Sequence, residues 1–180
     1  MTDWKSIAPA QLGAFAEPII IAKLAESGYR ASRTSAKGPK IELLIDLEDG
    51  RQVLARVKSL RGPNYVFVLR SSFTLDDDHA MALMVFPMDY GQPELFIIPA
   101  AAWRDPDELF VAPDYPGLKS APEYGIRLSS RWREQLAMWR VRPGAPLPLS
   151  YRASPGRVLQ RGDTASPPDT ITCHRPTPTA

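Results

Sequence analysis

Residues 40–59 have the sequence KIELLIDLEDGRQVLARVKS, and this stretch decides the fold that we predict. An apolar-rich run at 41–47 is followed by an Asp-Gly turn signal and by a second run at 53–57. Two such runs separated by a glycine-containing turn predict a β-hairpin. Because strand side chains alternate between faces, Arg56 and Lys58 share one face of the second strand. Either that polar face is solvated, or a site is built on it.

The segment before the hairpin predicts a helix and a short strand. Apolar residues at roughly helical spacing predict a first helix from Ser6 to Glu26, with Ser6 as its cap. Pro18 lies inside this helix and predicts a kink, because proline removes a backbone hydrogen bond. The run from Tyr29 to Ser35 predicts a first strand.

The segment after the hairpin predicts further strands and a closing helix. Apolar runs rich in β-branched and aromatic residues predict strands at 65–70, 81–86 and 95–98, and a short edge strand within 105–125. Ser129 is expected to cap a last helix at 130–140 that buries Trp132, Leu136 and Trp139 on one face. With 180 residues, of which 44% are hydrophobic, one α/β domain is expected.

Charge is distributed unevenly along the chain. Residues 1–140 hold 17 Lys and Arg against 18 Asp and Glu, a net charge of −1, and residues 141–180 hold five Arg against two Asp, a net charge of +3. The near-neutral domain therefore gives no general electrostatic argument for nucleic-acid binding. The segment 141–180 also holds eight of the 19 prolines, which predicts a disordered tail without a packed core.

The single cysteine and the short apolar runs indicate where in the cell the protein is expected. The single cysteine, Cys173, supports neither a disulfide framework nor a cysteine-based zinc site. The first residues contain no apolar segment typical of a signal peptide, and no apolar run approaches the ~20 residues of a membrane span. We therefore expect a cytoplasmic protein with no membrane partner.

Several short strings, taken in order, resemble a known family. The chain is similar to the PD-(D/E)XK nuclease superfamily, and more narrowly to a bacterial branch of it with a partly degenerate active site. The resemblance covers roughly residues 10–139. The strings that carry it are Gly13-Ala14-Phe15-Ala16-Glu17, Val57-Lys58-Ser59-Leu60-Arg61-Gly62, Asn64-Tyr65-Val66-Phe67, Leu95-Phe96-Ile97-Ile98-Pro99 with Trp103, and Lys119-Ser120-Ala121-Pro122-Glu123-Tyr124-Gly125-Ile126.

The resemblance implies a restriction-endonuclease-like core over residues 1–140, with a mixed β-sheet flanked by helices, and a Mg²⁺ site on the hairpin. In that superfamily, acids on the hairpin and the first helix hold the metal, and a lysine positions the attacking water. Carried over, Glu17 and Glu42 are the metal ligands, and Lys58 with these two acids forms the catalytic set. Mg²⁺ prefers such hard oxygen ligands and makes a bound water nucleophilic.

Arg56 departs from the family pattern, because an acid or glutamine is usual at its position. Arginine stays protonated and has no acceptor, so it cannot ligate a metal. Arg56 either pairs with Glu42 and closes the site, or contacts a phosphate together with Arg61 as a substrate-binding residue. Asp46 lies about 13 Å along the strand from Glu42, too far to share one metal.

Two functions of different classes stay open. The first is Mg²⁺-dependent hydrolysis of nucleic acid, and the alternative is a catalytically degenerate member of the fold that binds nucleic acid or a protein. A second copy of the chain is also an open partner. Residues 76–79, Asp-Asp-Asp-His, are expected to form a solvated loop, and Tyr65 and Trp103 are expected to pack instead of stacking on bases.

Overall fold

The computed structural model describes residues 3–34, 40–88 and 91–149. Short 3₁₀ helices lie at Trp4–Ser6, Arg70–Ser72, Ala100–Trp103 and Ala137–Trp139. The remaining elements, in chain order, are α1 (Pro9–Glu26), β1 (Arg30–Arg33), β2 (Glu42–Asp46), β3 (Gln52–Arg61), β4 (Tyr65–Leu69), β5 (His79–Phe86), β6 (Glu94–Pro99), β7 (Phe110–Val111), β8 (Glu123–Arg127) and α2 (Trp132–Gln135).

The main sheet has five strands in the order β1-β2-β3-β5-β6. The β3–β5 pair is parallel and the other pairs are antiparallel, so the sheet is mixed as predicted. The predicted hairpin is confirmed as β2 and β3, with Glu42 directly opposite Arg56. β3 extends to Arg61, beyond its predicted end at Val57, because β5 continues to pair with it after β2 has ended.

Each face of the main sheet carries its own apolar core. α1 covers one face, where Leu12, Ile20 and Leu24 pack with Leu43 and Val57 among others. The other face is covered by a second sheet of order β4-β8-β7 and by α2. Because both faces are covered, β5 and β6 are buried almost throughout, which explains their continuous apolar sequence.

The N-terminal helix differs from the prediction at its start. α1 begins at Pro9 with Ala8 at the cap, and proline suits this first helical position. Ser6 belongs instead to the preceding 3₁₀ helix, where its hydroxyl donates to the Asp3 carbonyl at 2.8 Å. α1 includes Pro18 and continues to Glu26 without a break.

The C-terminal helix is shorter than predicted. α2 ends at Gln135 and is followed by the 3₁₀ helix Ala137–Trp139, although Trp132, Leu136 and Trp139 are all buried as expected. The helical segment ends at Trp139, because the next residue, Arg140, is extended and bridges to Phe96 of β6.

The described chain continues past residue 140, the predicted domain boundary. The Val141 amide donates to the Leu95 carbonyl at 2.9 Å, and the Leu147 amide donates to the Tyr29 hydroxyl at 3.1 Å. Residues 150–180, which include Cys173 and most of the predicted tail, lie outside the described residues, as does Ser35 at the end of the predicted first strand. Within the described ranges, none of the helices is both long and apolar enough to span a membrane.

Candidate anion-binding site

A buried ion pair joins the two strands of the hairpin. Arg56 Nε donates to Glu42 Oε1 at 3.0 Å, and Arg56 Nη2 donates to the same oxygen. Nη2 also donates to the carbonyl of Ser72 at 2.8 Å. The side chains of Arg56 and Glu42 are only 8% and 17% exposed. Arg56 is therefore held between β2 and the 3₁₀ helix that follows β4.

This geometry shows Arg56 paired with Glu42, and its role in substrate binding stays a prediction. The guanidinium contacts Glu42 with two of its nitrogens and so occupies one oxygen of the carboxylate that was predicted to hold a metal. Removing one partner of such a buried pair leaves an uncompensated charge, at a cost of about 3 to 5 kcal/mol. Opening the pair to admit a metal ion would carry the same kind of cost.

Lys58 lies on the same face of β3 as Arg56, two residues further along. Its amine is 5.6 Å from the centroid of the Phe67 ring. Burial lowers the pKa of Lys58 below its usual value of 10.5, and the nearby cations Arg56 and Lys40 lower it further. Within residues 3–34, 40–88 and 91–149, no carboxylate lies within ion-pair distance of this amine.

A pocket of about 270 Å³ opens beside this part of β3. It forms beside the first residue of β2, Glu42. The Val57 amide donates to the carbonyl of Ile41, just before β2, at 2.9 Å, and no described strand pairs with this edge of β3 after Val57. We call it the basic pocket, because three of its lining residues are cations and none is an acid. The lining residues are Pro9, Gly13, Lys40, Ile41, Arg56, Val57, Lys58 and Ser59.

The first turns of α1 form one wall of the basic pocket, through Pro9 and Gly13. The N-terminal end of a helix carries a partial positive charge, which adds to the field of the three cations. The pocket can therefore accommodate an anion, and its lysines supply the hydrogen-bond donors that an oxyanion requires.

Glu17 does not join Glu42. It lies on α1, and its carboxylate forms an ion pair with Arg33 Nη1 at 3.3 Å. Arg33 is in register with Leu43, which packs in the core under α1, whereas Glu42 and Arg56 are in register with Met81 on the opposite face. The two predicted metal ligands therefore lie on opposite faces of the main sheet.

The residues around Glu42 do not fit a Mg²⁺ ion. Glu42 Oε1 is engaged by the Arg56 guanidinium, and the other charged residues that line the basic pocket are lysines. Across the three described ranges, no group of three or more His, Cys, Asp or Glu residues is arranged to hold a metal. The magnesium site and the catalytic roles of Glu17, Glu42 and Lys58 stay predictions.

The other candidates are engaged in structural contacts. Arg61 Nη2 donates to the Ile7 carbonyl and so ties β3 to the segment before α1, and its role in substrate binding stays a prediction. Asp46 accepts a hydrogen bond from the Gln52 amide group at 2.8 Å. Asp76 contacts His79 Nδ1 at 2.6 Å, whereas Asp77 contacts Arg104 at 3.3 Å, so these acids do not converge on one point.

A second polar cluster, which sequence reasoning missed, lies on the outer face of the small sheet. The buried carboxylate of Glu123 accepts hydrogen bonds from the hydroxyls of Tyr65 at 2.6 Å and Tyr115 at 2.8 Å. Burial, followed by the bond to Glu123, raises the pKa of Tyr65, and the bond to Glu123 raises the pKa of Tyr115. The two-residue spacing of Tyr65 and Phe67 was the only signal in the sequence, since it places both rings on one face of β4.

Comparison of the chain with protein-family models, with curated proteins and with solved structures finds no match.

Proposed function

We propose that this chain is a catalytically degenerate protein with a restriction-endonuclease-like core, and that it binds the phosphate backbone of nucleic acid through the basic pocket. One observation carries the proposal. Arg56 neutralises Glu42, the acid at the predicted metal position, while the Lys58 amine beside it has no acidic partner among the described residues.

The balance of charge around the pocket supports an anionic ligand. The Glu42–Arg56 pair is neutral overall, which leaves the charges of Lys58 and Lys40 uncompensated by any lining residue. A phosphodiester oxygen placed between these amines would accept charge-assisted hydrogen bonds. It would also favour the protonated form of Lys58, and so offset the effect of burial on the pKa of this lysine.

The arrangement of the main sheet is consistent with the proposed core. α1 packs on a mixed sheet whose central hairpin carries the polar residues, and the β3–β5 pair is parallel. The near-neutral net charge of residues 1–140 means that binding must come from this local cluster and not from the protein's overall field.

The test is the salt dependence of binding to a fluorescein-labelled oligonucleotide, measured by anisotropy in the presence of EDTA. Lys58→Met keeps the length of the side chain but removes the charge. We expect weaker binding, and a slope of log Kd against log salt that falls by about one unit, since one phosphate contact is lost. Lys119→Met, at an exposed lysine outside the pocket, is the matched control and should leave both quantities unchanged.

Two results would overturn the proposal. The first is an absence of binding by the parent protein at low salt. The second is binding by Lys58→Met that matches the parent in affinity and in salt slope, because the basic pocket would then play no part.

A metal-dependent nuclease is the second candidate, and the lowered pKa of Lys58 favours it. A lysine whose neutral form is more accessible is better suited to accept a proton from water. Incubation of labelled DNA and RNA with Mg²⁺ or Mn²⁺ separates the two candidates. Cleavage by the parent that is lost in Glu42→Gln would replace the binding proposal with a nuclease.

A further inference from the structure

The outward face of β4 carries three large apolar side chains. Tyr65, Phe67 and Leu69 are 37%, 42% and 38% exposed, whereas Val66 and Val68 between them are buried in the core. A solvated sheet face normally carries polar residues, so this apolar row is unusual. Contiguous exposed apolar surface of this kind marks interaction sites.

The two aromatic rings on this face are nearly parallel. Their centroids are 6.0 Å apart, and the ring planes differ by only 20°. We call these two rings the aromatic platform. Both rings are partly exposed and have nearly the same orientation.

The ring of Tyr65 is held in place by contacts with β8. It lies against Gly125 of β8, where any Cβ would overlap the ring, and its hydroxyl is anchored on the buried carboxylate of Glu123. A ring that is fixed before binding loses little conformational entropy when a ligand stacks on it.

Cations flank the aromatic platform. The Lys58 amine lies 5.6 Å from the Phe67 ring centroid, and the same lysine lines the basic pocket. At the other end, exposed Arg127 is in register with Tyr65 on the neighbouring strand. The platform is thus continuous with the proposed phosphate site, and positive charge lies at both of its ends.

We infer that the aromatic platform stacks unpaired bases, so that the ligand of the basic pocket is a single-stranded nucleic acid whose phosphates contact Lys58. This inference rests on the proposed function. Stacking requires exposed base faces, which single strands offer along their length and duplexes hide, and every base presents such a face. The inference assigns to Tyr65 a role in base stacking, whereas the sequence alone predicted that this ring packs against the protein.

The charges favour a polynucleotide over a protein partner on this surface. Glu123, the acid in contact with Tyr65, is buried and already engaged by two hydroxyls. Exposed Asp114, beside Tyr115, is paired with Arg70, and neither acid forms an ion pair with Lys58 or Arg127. Alternating aromatic surface and cations match the alternating bases and phosphates of a single strand.

The test compares labelled oligo(dT), oligo(U) and a DNA duplex of matched length at one salt concentration. We expect the parent to bind at least one single strand more tightly than the duplex. Phe67→Leu, which removes the ring but keeps an apolar side chain, should weaken single-strand binding about fivefold or more and leave duplex binding unchanged. Phe67→Trp should restore or strengthen it.

Phe15 provides a matched control. It is 44% exposed, close to the 42% of Phe67, but it lies on α1 at the other face of the main sheet. Phe15→Leu should leave all affinities unchanged. A circular dichroism melt of each variant shows that it is folded.

The outcomes distinguish the two proposals. Equal affinity for single strands and duplex, with no effect of Phe67→Leu, would overturn the aromatic platform but leave phosphate binding at Lys58 intact. An absence of binding to all three probes would overturn both. Self-association that is abolished by Phe67→Leu, measured by sedimentation, would assign the surface to a second copy of the chain and overturn base stacking.

Discussion

Two arginine–glutamate pairs lie on opposite faces of the main sheet, and they differ in the burial of the arginine. Arg33 meets Glu17 through one contact of 3.3 Å, and the side chain of Arg33 is 57% exposed, whereas the side chains of Glu17 and Glu42 are each 17% exposed. Arg56 meets Glu42 with two nitrogens, contacts a backbone carbonyl as well, and is only 8% exposed. The two pairs have the same chemistry in two different environments.

The difference bears on the predicted metal site. A pair whose arginine is exposed contributes about 0 to 1 kcal/mol, because water solvates the guanidinium and weakens the attraction. A buried pair cannot open without leaving a charge in a poorly solvated place. Burial between β2 and the 3₁₀ helix at Arg70–Ser72 therefore commits Glu42 to Arg56.

The largest expected effect on stability comes from breaking the buried Glu42–Arg56 pair. Glu42→Gln leaves the Arg56 charge uncompensated and should lower the free energy of unfolding by roughly 3 kcal/mol, measured by urea denaturation. Glu17→Gln is the matched control and should cost less than about 1 kcal/mol. Equal losses for the two variants would show that burial does not distinguish the pairs.

A double variant sharpens the same comparison. In Glu42→Leu/Arg56→Met, both charges are replaced by apolar side chains of similar size. Most of the stability lost in Glu42→Gln should return, because well-packed apolar residues often replace buried ion pairs at little cost. A double variant as unstable as Glu42→Gln would contradict this.

The next largest effect on stability concerns the two tyrosines whose hydroxyls donate to Glu123. Tyr65→Phe should lower the free energy of unfolding by about 1 to 2 kcal/mol, because it removes a hydrogen bond to a charged group. The raised pKa values of Tyr65 and Tyr115 mean that this stabilisation is fully present below the usual tyrosine value of 10.0. It is lost as the pH rises through the higher folded-state values.

Phenolate absorbance during an alkaline titration measures this directly. Tyr65 and Tyr115 should ionise above the usual tyrosine value of 10.0, and Tyr65→Phe should remove one of these two late-ionising groups. If both ionised at the usual value, the carboxylate of Glu123 would not be raising their pKa values.

A smaller effect is expected at Lys58. Its pKa is lowered on folding, so below the usual value of 10.5 the folded state binds fewer protons than the unfolded state, and stability rises with pH. Lys58→Met should therefore be slightly more stable than the parent at neutral pH, and this advantage should shrink as the pH approaches 10.5. Urea denaturation at neutral and alkaline pH measures it. A variant less stable than the parent at neutral pH would mean that the lysine is not penalised by burial.

The smallest effect is the salt sensitivity of the pair whose arginine is exposed. The cost of Glu17→Gln should fall towards zero at high salt, because mobile ions screen the exposed charge of Arg33. The cost of Glu42→Gln should change little under the same conditions. Parallel salt dependence of the two costs would contradict the assignment of Arg33 as exposed and Arg56 as buried.

The hairpin and the two buried strands could be predicted from the sequence because their signals are local. A two-residue alternation and an Asp-Gly turn fix the register of Glu42 opposite Arg56 without any knowledge of the rest of the chain. The continuous apolar runs of β5 and β6 likewise indicate strands that are covered on both faces.

The remaining features depend on contacts between distant parts of the chain. The face on which Glu17 lies is set by how α1 rotates against the sheet, and helical periodicity does not specify this. The end of the last helical segment at Trp139 depends on Arg140 bridging to Phe96 of β6, and the burial of Glu123 depends on Tyr65, 58 residues earlier. Lys40, which lines the basic pocket, lies two residues before the start of β2 at Glu42.

The most direct test of the closed metal site is a calorimetric titration of the full chain with Mg²⁺, beside Glu42→Gln as a control. Because Arg56 holds Glu42 and lysines provide the remaining charge in the pocket, we predict no saturable binding in the millimolar range for the parent. Saturable Mg²⁺ binding by the parent that disappears in Glu42→Gln would contradict the closed site and would favour the nuclease.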